Sequence, residues 1–457
     1  MGEAAAAVTT LEPLMRTTAG ARKAYDKALA ADRNFDSVKL NLAKLEVAEG
    51  KPDQARARLD ALIKEKPNSA SALYEKAMLD AATGRTADAL RGLETLHDKH
   101  RTHVEGHVAL IELYLQTGAS DKALEAAKGV SQGQPGYLAI QAALARVQLA
   151  RGDAAGARAT LTSMTRVADF DPSAQYRIAQ LQRMAGNPAG ATYSLEKALQ
   201  GDPGYLPARI MQGEQMLAEG QLDKAEARAQ ELLRSPTAPA EVYRLAGDVA
   251  MARGQWQNAI THYRNGLGKG GSVELAGGLY EAHRRAGNSA QGRAAVEALV
   301  KERPRDLAFK LLLSQAQTDA GMLREAKTTL EAVLKTGGES APVLNNLANL
   351  QWQTKDAAAQ ATAERAFKLA PADPLVLDTL GWILAQKGQT DAALKHLREA
   401  RLRSPQNPEI RYHLAWVLAK TGRKAEALQE LDAMVLECPE LAIFIDSLKS
   451  STRGITR

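Results

Sequence analysis

"DTLGWILAQKGQTDAALKHLREARLRSP", Asp378 to Pro405, reads as two amphipathic helices folded about a single glycine. Leu377, Leu380 and Leu384 precede Gly388 at helical spacing, and Leu394 and Leu397 follow it, so each arm carries one apolar stripe. Glycine ends a helix at low cost because it enters the left-handed region freely. Pro405 lacks a donor and stops the second arm. The stretch holds no evident nucleophile, phosphate loop or cluster of metal ligands. A hairpin of this size cannot bury its own stripe, and the chain writes it again directly, with Leu414, Ala415, Gly422, Ala427 and Pro439 in matching places.

The repetition extends backwards. Gly50, Gly84, Gly118, Gly152, Gly186, Gly220, Gly254, Gly287, Gly321, Gly388 and Gly422 mark turns mostly 34 residues apart, and Lys355 takes the remaining slot in a unit one residue short. Five residues after the turn stands a small residue: Ala55, Ala89, Ala123, Ala157, Ala191, Ala225, Ala259, Gly292, Ala326, Ala393 and Ala427, with Ala359 in the short unit. Seven before it the residue is again small, except for Ile111 and Tyr280. Small residues in register let two helices approach closely. Pro67, Pro135, Pro203, Pro304, Pro371, Pro405 and Pro439 punctuate the ends of units. The periodicity predicts an all-α stack of twelve helical hairpins, each burying its stripe against the next.

Composition agrees. At 457 residues, length alone suggests about three domains, but 45% apolar residues with only 4% aromatics and no alternating strands argue for one helical array. The formal charge of +6 is spread thinly, with no Lys/Arg run longer than two, which argues against a nucleic-acid partner. The lone Cys438 excludes an intramolecular disulfide. No apolar run reaches the roughly 20 residues a bilayer crossing requires. "MGEAAAAVTT" lacks the basic start and apolar middle of a signal peptide, and Ala6 breaks the myristoylation pattern.

Leu380-Gly381, Gly388, Ala393, Leu397, Ala400 and Pro405 together resemble the tetratricopeptide repeat. The resemblance implies a right-handed superhelical solenoid over residues 36–439 in one continuous array. Residues 1–35 are expected to be a tail and a partial repeat: "ARKAYDKALAADRNF" resembles a second helix, with Ala21, Tyr25 and Ala28 in register, and its first helix is reduced to "LEPLM". That predicts a chain cut from a longer array. Residues 440–457 are expected to cap the stack. More narrowly, "LNNLANLQWQ", the opening stretch and "NPEIRYHLAWVLAKTGRKAEAL" resemble bacterial repeat lipoproteins of the exosortase/PEP-CTERM sorting and exopolysaccharide export systems. This resemblance implies a periplasmic or outer-membrane-associated role.

In the family the first helices line the concave surface and usually hold the ligand. The stripe beside their packing leucines contains Asn345, Asn349 and Trp352, then Asp378 and Trp382, then Tyr412 and Trp416. Three of the four tryptophans fall there, and the fourth, Trp256, sits early in a second helix. Indole walls with amides suit an extended peptide, or a sugar chain stacked on ring faces. Amphipathic indoles also pack between units as a matter of course. "HDKHRTHVEGH" gathers His97, His100, His103 and His107 across a helix junction, with His107 on the packing stripe, but lacks a recognisable zinc signature and reads as a solvated helix end. "GLGKGGS", Gly266 to Ser272, fails the phosphate-loop pattern and reads as a connector. No convergent acid, base and nucleophile are suggested. The sequence therefore predicts a non-catalytic scaffold for a protein or extended peptide, with no cofactor and no metal; a polysaccharide-binding scaffold and a cytoplasmic peptide adaptor are the alternatives.

Overall fold

The computed structural model describes residues 18–133 and 136–437, all in helices and short connections, with no strand among them. "LEPLM", Pro135, Cys438, Pro439 and the expected cap lie outside the described residues. The chain divides into two compact units, Met1–Glu219 and Gly220–Arg457.

In the first unit α1 (Thr18–Ala31) precedes the hairpins α2 (Asp36–Ala48) and α3 (Pro52–Glu65), α4 (Ala70–Ala82) and α5 (Thr86–Lys99), α6 (Val104–Gln116) and α7 (Ser120–Gly133), α8 (Leu138–Ala150) and α9 (Ala154–Val167), and α10 (Pro172–Met184) and α11 (Pro188–Gly201). Helix α12 (Leu206–Ala218) completes it. Helix α1 precedes the first hairpin, and Arg22 ties it there through a two-pronged bond to Glu49 at 3.1 and 2.9 Å. That guanidinium, with Lys51, pulls the Glu49 carboxyl down to about 2.

The second unit opens with α13 (Leu222–Leu233). It continues in hairpins α14 (Ala240–Ala252) and α15 (Trp256–Leu267), α16 (Val273–Arg285) and α17 (Ser289–Glu302), α18 (Leu307–Asp319) and α19 (Leu323–Gly337), α20 (Ala341–Gln353) and α21 (Ala359–Leu369), α22 (Pro374–Gln386) and α23 (Thr390–Arg403), and α24 (Pro408–Lys420) and α25 (Lys424–Glu437). "GLGKGGS" closes α15 with Gly266 and Leu267 and then forms the connector to α16, where the carbonyl of Gly271 accepts from Arg303 at 2.8 Å. Trp256 is the first residue of α15.

Within a hairpin the two helices pack along their stripes, and successive first helices also touch, as α6 does α8 and α22 does α24. The small residues are where the packing is tightest. Ala55, Ala89, Ala123, Ala157, Ala191, Ala225, Ala259, Ala326 and Ala393 are fully buried. A Cβ on Gly381 would stand 2.8 Å from Cγ of Leu397. The exception at Tyr280 has a partner exception: Gly292 replaces the usual alanine, and a Cβ there would meet the Tyr280 ring at 3.1 Å. The missing methyl makes room for the extra ring. Tyr280 then donates its hydroxyl to Asp319 at 2.9 Å, and burial, reinforced by that carboxylate, pushes the phenol up to about 12.

Gly388 turns at φ 78°, and Lys355, in the slot without glycine, is forced to φ 56°. The position requires the left-handed region whichever residue occupies it. Leu377, Leu380, Leu384, Leu394 and Leu397 are all buried, each contributing about 1.5–3 kcal/mol.

Candidate functional site

The rows of first helices carry two surfaces of note, one in each unit. Both helices that carry the second are started by residues the sequence supplies locally. Asp373 accepts from the amides of Leu375 and Val376 at 2.8 and 3.3 Å, with Pro374 at the first position of α22. Asn407 does the same for Glu409 and Ile410 at 2.9 and 3.2 Å, ahead of Pro408 in α24. A side-chain acceptor before proline satisfies free amides and presets the first turn.

From these starts, α22 and α24 place an aromatic cluster. Trp382 lies flat against His413, with centroids 4.1 Å apart and planes 17° from parallel. Trp416 meets Trp382 edge-on at 5.1 Å and 71°, and Tyr412 is tilted at 6.3 Å. Lys420 holds its ammonium 5.3 Å from the Trp416 ring centroid. Trp352, Tyr412 and Trp416 rest partly on the core formed by Leu380, Leu384, Leu414 and Leu418. All four indole and phenol rings are half-buried, so they pack between helices and still present surface.

The polar residues expected on this stripe are placed differently. Asn345 is buried at 7% exposure, and its Oδ1 has no hydrogen-bond partner in the protein. Asn349 gives its amide to Thr379 Oγ1 at 3.2 Å, across the α20–α22 contact. Asp378 is 5% exposed and accepts from His413 Nδ1, which lies 2.9 Å from both carboxylate oxygens. Asn345 and Asp378, ten residues before their turns, are enclosed rather than displayed.

His413 was absent from the expected set, although one residue from Tyr412. Glu409, one turn earlier on α24, completes a trio: ligand atoms of Asp378, Glu409 and His413 all lie within 4.8 Å of one another. It is the one such group of three among the described residues. No sequence spacing announced it, because Asp378 and His413 belong to different repeats.

The histidine run is not wholly a solvated end, since His107, on the packing stripe, turns inward. His107 is 1% exposed. Its Nε2 faces the Arg101 carbonyl and its Nδ1 faces His97 Nδ1, both at 2.9 Å. One tautomer set satisfies this: His97 donates to His107, which donates to Arg101. Burial pulls both imidazoles below the usual histidine range. His103 caps α6 by accepting from the Gly106 amide at 3.0 Å.

The first unit carries a groove of about 1090 Å³ that no sequence signal marked. Leu138, Ala142, Tyr176, Arg177, Met184 and Met211 line it, drawn from α8, α10 and α12. Met184 is 68% exposed. Aliphatic and thioether side chains one helix apart carry no motif, so only the stacking of first helices discloses the groove.

The tetratricopeptide repeat family model matches residues 2–79, 118–181, 182–248 and 384–440, more than half of the chain. The chain belongs to the tetratricopeptide repeat family. Such arrays generally act as non-enzymatic scaffolds that bind protein or peptide partners. A TPR repeat-containing protein of Pseudomonas aeruginosa is 27% identical over 231 residues, which are 49% of this chain and 33% of that relative. The chain thus spans about a third of the length of the curated relative it matches. Among solved structures, yeast Tom70 aligns over 97% of this chain and 99% of its own at 14% identity and a TM-score of 0.49. Cut9–Hcn1 of the APC/C aligns over 94% and 92% at 14% and 0.43. A tetratricopeptide repeat protein from Parabacteroides merdae covers 53% of this chain and 97% of its own at 16% identity and 0.40. No helix among the described residues of this tetratricopeptide array is long and apolar enough to cross a membrane.

Proposed function

We propose that this chain is a non-catalytic scaffold that takes an extended segment of a partner protein against its first helices. The observation that carries the reading is the half-buried face made by Trp382, Tyr412 and Trp416, with Lys420 beside it. Rings fixed by packing offer apolar area at little entropic cost, and ring edges with an adjacent cation suit side chains and carbonyls of a peptide. The groove of the first unit offers a second apolar lining of the same kind. Replacing Trp382 and Trp416 together with Ala is expected to lower peptide-array binding at least tenfold while far-UV helicity stays intact. Unchanged binding would remove this face from consideration.

Direct binding of a polysaccharide is the second reading. Sugar stacking needs an open ring face, and His413 covers one face of Trp382 while Trp416 meets it edge-on. Retention of neutral glycans on an array, lost in the double variant, would place the sugar reading first. The segments around Trp352, Trp382 and Trp416 that resemble export lipoproteins support a role in bacterial envelope polysaccharide export or protein sorting, in the periplasm or at the outer membrane. Fractionation of native cells tests this, and recovery only in the cytosol favours a cytoplasmic peptide adaptor.

A further inference from the structure

We propose that Asp378, Glu409 and His413 form a binding site for a divalent first-row transition-metal ion of the Zn2+ class. The three come from neighbouring first helices. Asp378 projects from α22, while Glu409 and His413 stand one turn apart on one face of α24. Their ligand atoms lie within 4.8 Å of one another. Two ligands of one zinc ion, each about 2.0–2.2 Å from it, are separated by at most about 4.4 Å. Small side-chain rotations therefore close this trio on an ion.

Charge gives the second argument. Asp378 is 5% exposed, its partner is the His413 imidazole, and no lysine or arginine pairs with it or with Glu409 among the described residues. A buried carboxylate is costly unless a positive charge answers it. Asp378 is the enclosed carboxylate, with exposed Glu409 beside it, and a divalent ion held between them would answer the buried charge while using both. Trp382, stacked on His413, shields the imidazole and fixes its plane, the kind of support that orients a metal-binding histidine.

One nitrogen and two carboxylate oxygens suit Zn2+, Co2+ or Mn2+ rather than a thiophilic ion. An ion bound at Nδ1 replaces the proton now directed at Asp378; that proton leaves to solvent, and no electron transfer is involved. Three protein ligands leave at least one position for water or for a carboxylate of a partner. The inference stands apart from the scaffold reading, since an ion can bind whether or not a peptide does.

The test uses the full chain, stripped with chelator and titrated with ZnCl2 by calorimetry and with CoCl2 by tryptophan fluorescence. The expected result is one saturable site per chain, with Co2+ quenching that shrinks in Trp382→Phe while the Zn2+ heat persists. Glu409→Gln changes an exposed residue, leaves folding intact, and should weaken binding at least about tenfold; Asp378→Asn should abolish it. Absence of saturable heat overturns the assignment. So does a response unchanged in Glu409→Gln, because the site as assigned needs that carboxylate.

Discussion

Lys355 and Gly388 occupy equivalent turns and isolate one physical term. At Gly388 nothing lies within 4 Å of an added Cβ, so Gly388→Ala charges only for the left-handed backbone, about 1 kcal/mol. Lys355 already bears that strain at φ 56°. Lys355→Gly should raise stability by roughly 0.5–1 kcal/mol, the relief exceeding the entropy glycine adds to the unfolded chain. Paired urea titrations of the two variants check the opposite signs. A fall on Lys355→Gly would mean that its side chain contributes more than the backbone costs. The sequence placed both residues correctly through periodicity alone, because a turn position is a local demand on one φ angle. It did not place Asn345 or Asp378, whose enclosure depends on the neighbouring helix.

Helix pairs show how packing converts a local choice into a dependence on conditions. The junction of α5 and α6 holds His97 against His107, both below the ordinary histidine value chiefly because of burial. The unfolded chain takes up protons first as pH falls through about 6.5, while the folded junction resists. Stability is therefore complete above that value and declines below it until the folded imidazoles titrate. Melting temperature measured at pH 7.5 and at 5.5 should fall for the native chain, and fall less for His107→Gln; equal falls would contradict the role assigned to this pair. The four histidines were visible in sequence as a run. His107 was also legible on the packing stripe; its contacts with His97 and the Arg101 carbonyl were not, since they depend on how α5 and α6 meet. The Tyr280–Gly292 exchange is a similar case: both departures from pattern are evident in the sequence, and only contact between α16 and α17 shows that one compensates the other.

Over the full array, charge is distributed by the repeat. Arg85 reaches Asp53, Arg151 reaches Asp121 and Arg253 reaches Asp223, each pair bridging consecutive hairpins about one unit apart. Exposed pairs of this kind contribute at most about 1 kcal/mol each, so they set register more than stability, and they disperse the excess of six cations along the chain. Stability in such arrays is a sum over hairpins and their immediate neighbours. Leu161 is fully buried among Ala157, Met164 and Ile178. Leu161→Ala should cost about 2–5 kcal/mol and loosen amide protection across α8 to α11, leaving α22 to α25 as protected as before. Hydrogen exchange read by mass spectrometry tests this, and a uniform loss in every helix would contradict nearest-neighbour stability.

Periodicity settled the helices, their turns, the buried alanines and the leucine stripes, because each follows from a helical repeat and the steric limits of one or two residues. The family resemblance, rather than periodicity, directed attention to the tryptophan-bearing first helices. The pairing of Asp378 with His413, the approach of Glu409, the cover over Trp382 and the groove between α8, α10 and α12 required coordinates. Those features join side chains from different repeats, and their distances depend on how one first helix leans on the next, an angle fixed by collective packing that no single stretch of the chain encodes.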